Sequence, residues 1–265
     1  MLIVHTGNRI DEADRDPPRF PPEHAADIGH RLELLFRALR PDRLVSAAAA
    51  GADLLALEAA FAAGVPTTIA LPLLRDEFRR RSVEDQGGDW VSRYDAALAR
   101  AREVVEHDLS DRDDWYLEGN EVILDEAARL RDGGDVIVVA VRAGSASASD
   151  DLVERAAARG WASIDLDPSI DPSSRPLAVV VRRPDAAVDP ACIAALVDLD
   201  LDWEGIESDG RGGWPTDVGS TAAVVIAEGA DVGPRSAPTV APPASGDLME
   251  RVAALRDRIA AVLGP

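Results

Sequence analysis

Two tight strand exits hold the residues of this chain best suited to an anionic ligand. The first is Thr6-Gly7-Asn8-Arg9, at the end of an apolar run that starts at Leu2. The second lies in residues 46–72, SAAAAGADLLALEAAFAAGVPTTIALP, where a short strand runs into an Ala/Gly turn, the turn opens a helix, and the helix ends at Gly64 before another strand. Such a turn offers unpaired backbone N–H groups at the positive end of a helix dipole, and both favour an anion. Gly7 and Gly51 have no Cβ and so permit close approach, either by a ligand or by another part of the chain; both readings stand at this point. Ala52 follows Gly51 in the same turn, and Arg9 supplies a planar fork that fits a phosphate or carboxylate. A third exit, Gly144-Ser145-Ala146-Ser147-Ala148-Ser149-Asp150-Asp151, is rich in hydroxyls, which can donate to a phosphate in place of glycine amides.

Asp53 and Glu58 are the carboxylates with catalytic potential. Asp53 falls in the first turn of the helix after Gly51, where the dipole alone stabilises a negative charge by roughly 0.3–1 kcal/mol. Glu58 stands in a helix otherwise built of Leu and Ala, and could bind a ribose hydroxyl, act as an acid or base, or occupy a solvated face.

Composition excludes several functions. With 48 acidic residues against 28 basic ones, the net charge of −20 removes bulk attraction to nucleic acid or an anionic membrane. Every basic residue is arginine, which rules out a P-loop lysine, a Schiff-base lysine and a lysine general base. Cys192 stands alone, so no internal disulfide or multi-cysteine metal site forms; His5, His24, His30 and His107 share no metal-ligand spacing. No metal and no cofactor is expected. The apolar runs are too short to cross a membrane, and the amino terminus lacks a basic segment followed by a long apolar one, so a cytoplasmic protein is expected.

The elements that must position these residues follow from hydrophobic periodicity. Strands are predicted over residues 2–6, 43–47, 67–71, 104–106, 135–142 and 162–166, with helices over 23–40, 52–63, 90–102, 115–131 and 150–159. The stretch from Pro72 to Gly88 reads as irregular. Short apolar strands alternating with helices predict an α/β fold, a doubly wound, parallel, Rossmann-like sheet over residues 1–168. A Pro/Ser-rich boundary over 167–176 leads to a small α+β appendage over 176–265. There, strands are predicted at 177–182 and 221–227, a short helix at 190–197, a Gly/Asp/Trp loop at 205–219, a proline-rich linker at 229–246, and a terminal helix at 247–263 capped by Asp247.

The order and spacing of the N-terminal pieces resemble the SLOG superfamily of Rossmann-like proteins, which includes DprA-, cytokinin-riboside-hydrolase (LOG)- and YpsA-type domains; the likeness is nearest to the YpsA-like and conflict-system members. The pieces are Thr6–Arg9, Gly51-Ala52-Asp53 through Glu58, Leu71-Pro72-Leu73 with Glu77-Phe78, Ser82-Val83, Trp90 through Tyr94, and Tyr116 with Asn120. The resemblance covers about residues 1–167 and implies a pocket for a nucleotide or nucleotide-derived molecule, and adds Ser82, Tyr94 and Asn120 to its lining. It also implies a homodimer, and an effector protein for those relatives that act as sensors. Enzymatic members carry a paired-glycine motif that the loop at Gly144 lacks, and the turn before Gly51 is all alanine. Tyr94 and Trp90, on a helix, also fit as plain core residues.

Three functions follow, in this order: a ligand-sensing module for a nucleotide-like anion, in bacterial signalling or defence; an N-glycosidase or phosphoribohydrolase acting on a nucleotide or NAD-like substrate with Glu58 or Asp53 assisting; and a non-catalytic interaction scaffold.

Overall fold

A computed structural model describes the chain except for residues 13, 145–146, 183–187, 208–223, 229–238, 244 and 264–265. By packing, the chain divides into two compact units, Met1–Asp171 and Pro172–Pro265.

The first unit is built on six strands, β1 (Leu2–Gly7), β2 (Arg43–Ser46), β3 (Thr67–Leu71), β4 (Glu103–Glu106), β5 (Val136–Val141) and β6 (Ala162–Leu166), in the order β4-β3-β2-β1-β5-β6. Every pairing is parallel. The central strands β3 and β5 are buried along their whole length, as expected for a parallel sheet with helices on both faces. This is the predicted doubly wound α/β fold. From β1 the chain runs outward through β2, β3 and β4, then returns to β5 on the other side of β1. The strand order therefore reverses between β1 and β5, and in such sheets a crevice forms there, outside the carboxyl ends.

The helices are α1 (Ala25–Leu39), α2 (Ala52–Ala63), α3 (Arg75–Ser82), α4 (Trp90–Arg100), α5 (Trp115–Leu130) and α6 (Ala148–Ala158). In α1, Ile28, Leu32, Leu35, Phe36 and Leu39 form a buried stripe, and Arg40 closes the helix in a left-handed conformation before Pro41. Helix α2 is apolar on nearly every side and buries Ala52 through Leu57, so it lies inside the unit. Helix α3 differs from the irregular stretch expected before Gly88. It buries only Phe78 and Ser82, so it has no apolar periodicity to read. Ion pairs from Glu77 to Arg80 (2.6 Å) and Arg81 (2.5 Å) brace it instead.

In the second unit, β7 (Leu177–Arg182), β8 (Asp202–Glu207), β9 (Val224–Glu228) and β10 (Thr239–Val240) form a sheet in the order β10-β9-β7-β8. Its described pairings are all parallel, which refines the α+β expectation for this unit. Strand β8 extends through Glu207, where a loop was expected from Gly205, and β10 lies within the expected linker, most of which falls outside the described residues. Helices α7 (Pro190–Asp198) and α8 (Leu248–Leu263) complete the unit. Asp247 and Glu250 cap α8 reciprocally, at 2.9 and 3.1 Å. Cys192 is fully buried in α7.

Candidate functional site

At the carboxyl edge of the first sheet, the turn into α2 folds against the end of β1. Gly51 takes a φ of 114°, and a Cβ there would lie 2.5 Å from the Ile10 backbone nitrogen. A Cβ on Gly7 would meet the Ala52 Cβ at 2.3 Å and the Val141 carbonyl at 2.8 Å. Both glycines therefore serve chain-to-chain packing. The amides of the turn are engaged as well: Ala52 N–H donates to the Asn8 carbonyl (3.1 Å), Ala50 N–H to the Ser82 carbonyl (3.0 Å), and Ala49 N–H to Asp53 Oδ2 (3.2 Å). This corrects the expectation of an anion at Gly51 and Ala52, since neither residue lines the two clefts beside the turn and three of its donors already have acceptors.

Two clefts open beside this turn. One, of about 610 Å³, is the polar cleft, named for the mostly polar and charged residues that line it, from segments 7–12 and 14–16, Arg19, Gln86 and the first turn of α6. The other, of about 330 Å³, has an aromatic wall of Phe78, Trp115 and Tyr116, with Thr6, Ser82 and Asn120 as polar lining. They share Gly7, Arg9, Ala148 and Ser149.

Each wall has a local cause. Ser147 is the N-cap of α6: its Oγ accepts from Asp150 N–H, and the Asp150 carboxylate accepts from Ser147 N–H (2.8 Å). This reciprocal cap moves the helix start to Ala148, two residues before the expected Asp150. Asn120 ties the turn to α5 by donating to the Ala148 carbonyl (2.8 Å) and to Asp151 (2.7 Å). Asn8 Oδ1 accepts from Ala143 N–H (2.7 Å), joining the ends of β1 and β5. The proline-rich loop is folded by Asp11, whose Oδ2 accepts from the amides of Arg19 and Phe20, both at 2.6 Å.

The polar cleft carries charge of both signs. Arg9, Arg15 and Arg19 face Asp11, Glu12, Asp14 and Asp16, and Arg15 pairs with Asp11 at 3.3 Å. For Asp150, burial raises the carboxyl pKa, but the Ser147 hydrogen bonds and Arg142 outweigh it, leaving the pKa below the ordinary aspartate value. The first turn of α6 is therefore held by an ionised carboxylate at neutral pH.

The sequence-derived residues separate into groups. Thr6, Gly7, Asn8, Arg9, Asp53, Ser82, Asn120, Ser147 and Ser149 line one or both clefts. Asp53 is buried, with Oδ1 3.2 Å from His5 Nδ1, and Ser46 Oγ lies 3.4 Å from the same nitrogen. Glu58 lies outside both clefts with its carboxylate gripped by Arg93 at 2.7 and 2.5 Å, which corrects the expectation of a catalytic Glu58. Tyr94 is likewise corrected to a core residue: it is 1% exposed, stacks on Phe78 at 6.3 Å, and donates to the Arg75 carbonyl at 3.0 Å. Gly144 packs near Arg19, and Asp151 is held by Asn120 and Arg155; neither lines a cleft. Ser145 lies outside the described residues. Trp115, Arg81, Arg19 and Gln86 line the clefts without having been singled out. The aromatic pair Trp115-Tyr116 opening a helix was the available signal; Arg19 and Gln86, in irregular segments, gave none.

The chain is thus a doubly wound, parallel α/β protein of Rossmann-like topology, with a bipartite cleft beside the point where the strand order reverses. It is similar in structure to DNA processing protein A (DprA) from Streptococcus pneumoniae, at 17% identity and a TM-score of 0.40, over 76% of this chain and 57% of that one. The chain therefore spans less than two thirds of that neighbour's length. No protein-family model and no curated protein matches the chain. Among the described residues, no helix is long and apolar enough to cross a membrane, and no three His, Cys, Asp or Glu side chains are grouped to hold a metal ion.

Proposed function

We propose that the N-terminal unit is a sensing module for a nucleotide or nucleotide-derived anion. The observation that carries this reading is the meeting of an aromatic cavity and an arginine-bearing cleft at Arg9 and Ser149. A planar base stacks on the aromatic wall, while the phosphate lies at the first turn of α6, near Arg9 and Arg19. Both halves of the ligand thus meet groups of matching chemistry. In the cell the module reports occupancy to an effector protein, in the cytoplasm, in signalling or defence.

Calorimetric titration of the full chain with AMP, cyclic AMP, ADP-ribose and inorganic phosphate tests this. At least one nucleotide should bind more tightly than phosphate, and Trp115→Ala should weaken it about tenfold, in line with a base-stacking contact of roughly 1–3 kcal/mol. Absence of binding by every nucleotide would overturn the proposal.

Glycosidic cleavage is the second reading, narrowed to Asp53, the candidate carboxylate that lines a cleft. It requires release of free base from a bound nucleotide, abolished in Asp53→Asn. Release that persists in that variant removes Asp53 from the reaction.

A further inference from the structure

Among the described residues, Arg9 is the one cation that lines both clefts. Its backbone is fixed by a bridge to Gly51. The tip of its side chain is held from outside, by the short turn Glu84–Gln86 that follows α3. Arg9 Nη2 donates to the Asp85 carboxylate. With the Gln86 amide turned to satisfy both of its ends, Nη2 also donates to the Gln86 oxygen at 2.9 Å, and the Gln86 nitrogen donates to the Ile10 carbonyl at 3.2 Å. Arg9 Nε is buried and has no acceptor.

We infer that this turn is a built-in competitor of the ligand: the Asp85 carboxylate, which lines neither cleft, engages the Nη2 donor of Arg9 that the ligand's anionic group would use, and binding exchanges one acceptor for the other and releases the turn. The inference rests on the nucleotide reading of the clefts and names the residue that sets the affinity.

Three features favour the exchange. A guanidinium binds an oxyanion best through two parallel N–H donors, yet Asp85 meets only Nη2 and leaves Nε buried without an acceptor, which is costly. A phosphate can satisfy both. The Arg9–Asp85 pair is also weakly held, because the two side chains are 36% and 48% exposed and such pairs are screened by water. Finally, the turn buries no residue of its own, and Gly87 and Gly88 follow it with φ of 65° and 59°. Its two ends are anchored by buried Val83 and Trp90, and its tie to α3 is the part-exposed ion pair of Glu84 with Arg79 at 3.2 Å, so a swing of the turn costs one screened pair and no buried contact.

The test is calorimetric titration of the full chain with AMP, paired with amide hydrogen exchange over residues 84–88. Asp85→Asn should bind AMP about three- to tenfold more tightly than the natural chain, since the competing state is removed. Asp89→Asn, which removes a nearby exposed carboxylate that lines neither cleft, should change affinity less than about twofold if bulk charge is not the cause. AMP should speed exchange over 84–88 in the natural chain and leave Asp85→Asn, already fast, unchanged. Equal or weaker binding by Asp85→Asn, with AMP binding intact, overturns the inference and leaves the nucleotide reading standing. Equal tightening by Asp89→Asn overturns it as well. If AMP binds none of the three proteins, the nucleotide reading fails for AMP and exchange without ligand decides: faster exchange in Asp85→Asn supports the hold on the turn, and equal exchange overturns it.

Discussion

The turns into α2 and α6 occupy equivalent places, each following a strand at the carboxyl edge of one sheet, yet they are built for opposite ends. The α2 turn has the glycine, the dipole and the first-turn carboxylate of an anion site, and spends the glycine and the carboxylate on its own chain even though Asp53 lines the aromatic cleft. Gly51 admits Ile10, the Ala52 amide caps Asn8, and Asp53 holds the Ala49 amide and His5. The α6 turn has a serine where a glycine was looked for; its reciprocal Ser147–Asp150 cap leaves Ala148 and Ser149 facing both clefts. A glycine at a strand–helix turn therefore reports how closely something approaches, and says nothing about whether that something is a ligand.

The sharpest way to break this contrast is at Gly51. Gly51→Ala puts a Cβ into backbone at a positive φ, and should cost about 3 kcal/mol or more in urea unfolding. If the variant folds normally yet loses nucleotide binding, the α2 turn is a ligand site after all. Asp53→Ala comes next, at about 2 kcal/mol, because it strands the Ala49 amide and the His5 ring beneath the surface. Full stability in that variant would mean that the Asp53–His5 contact does not hold the turn.

On the α6 side the effects on folding are smaller. Ser147→Ala removes one half of the reciprocal cap and should cost about 1 kcal/mol, with weaker AMP binding than that loss of stability alone explains. The cap also carries a pH signature. Since the folded-state pKa of Asp150 is depressed, its stabilisation is present above the ordinary aspartate value of 3.8 and is lost as pH falls through the folded value. Asp150→Asn should therefore destabilise the protein at pH about 7 and become neutral near pH about 2, read by denaturant unfolding at each pH. A penalty that is the same at both pH values would show that charge plays no part in the cap.

Much of the fold was legible in advance because burial writes itself into residue spacing. Apolar runs such as residues 136–141 and the stripe from Ile28 to Leu39 admit few other readings. Helix α3 was not legible, since it is held by Glu77 and its arginines and buries only Phe78 and Ser82. In the candidate site, Thr6 to Arg9 and the serines Ser147 and Ser149, named from their place at strand exits, line the clefts. For Glu58 and Tyr94 two readings stood open, because a charge or a ring on a helix does not announce which partner it will meet. Arg93 and the Arg75 carbonyl come from distant parts of the chain.

By itself, the sequence determined the alternation of strands and helices, the parallel sheet and the absence of any lysine-dependent chemistry, since local periodicity and composition are properties of neighbouring residues. Only the tertiary structure decided which residues of each strand exit face the clefts and which face the chain itself. That outcome depends on contacts between residues far apart in the chain, Gly51 with Ile10, Asn120 with Ala148 and Arg9 with Asp85. No local pattern encodes those distances.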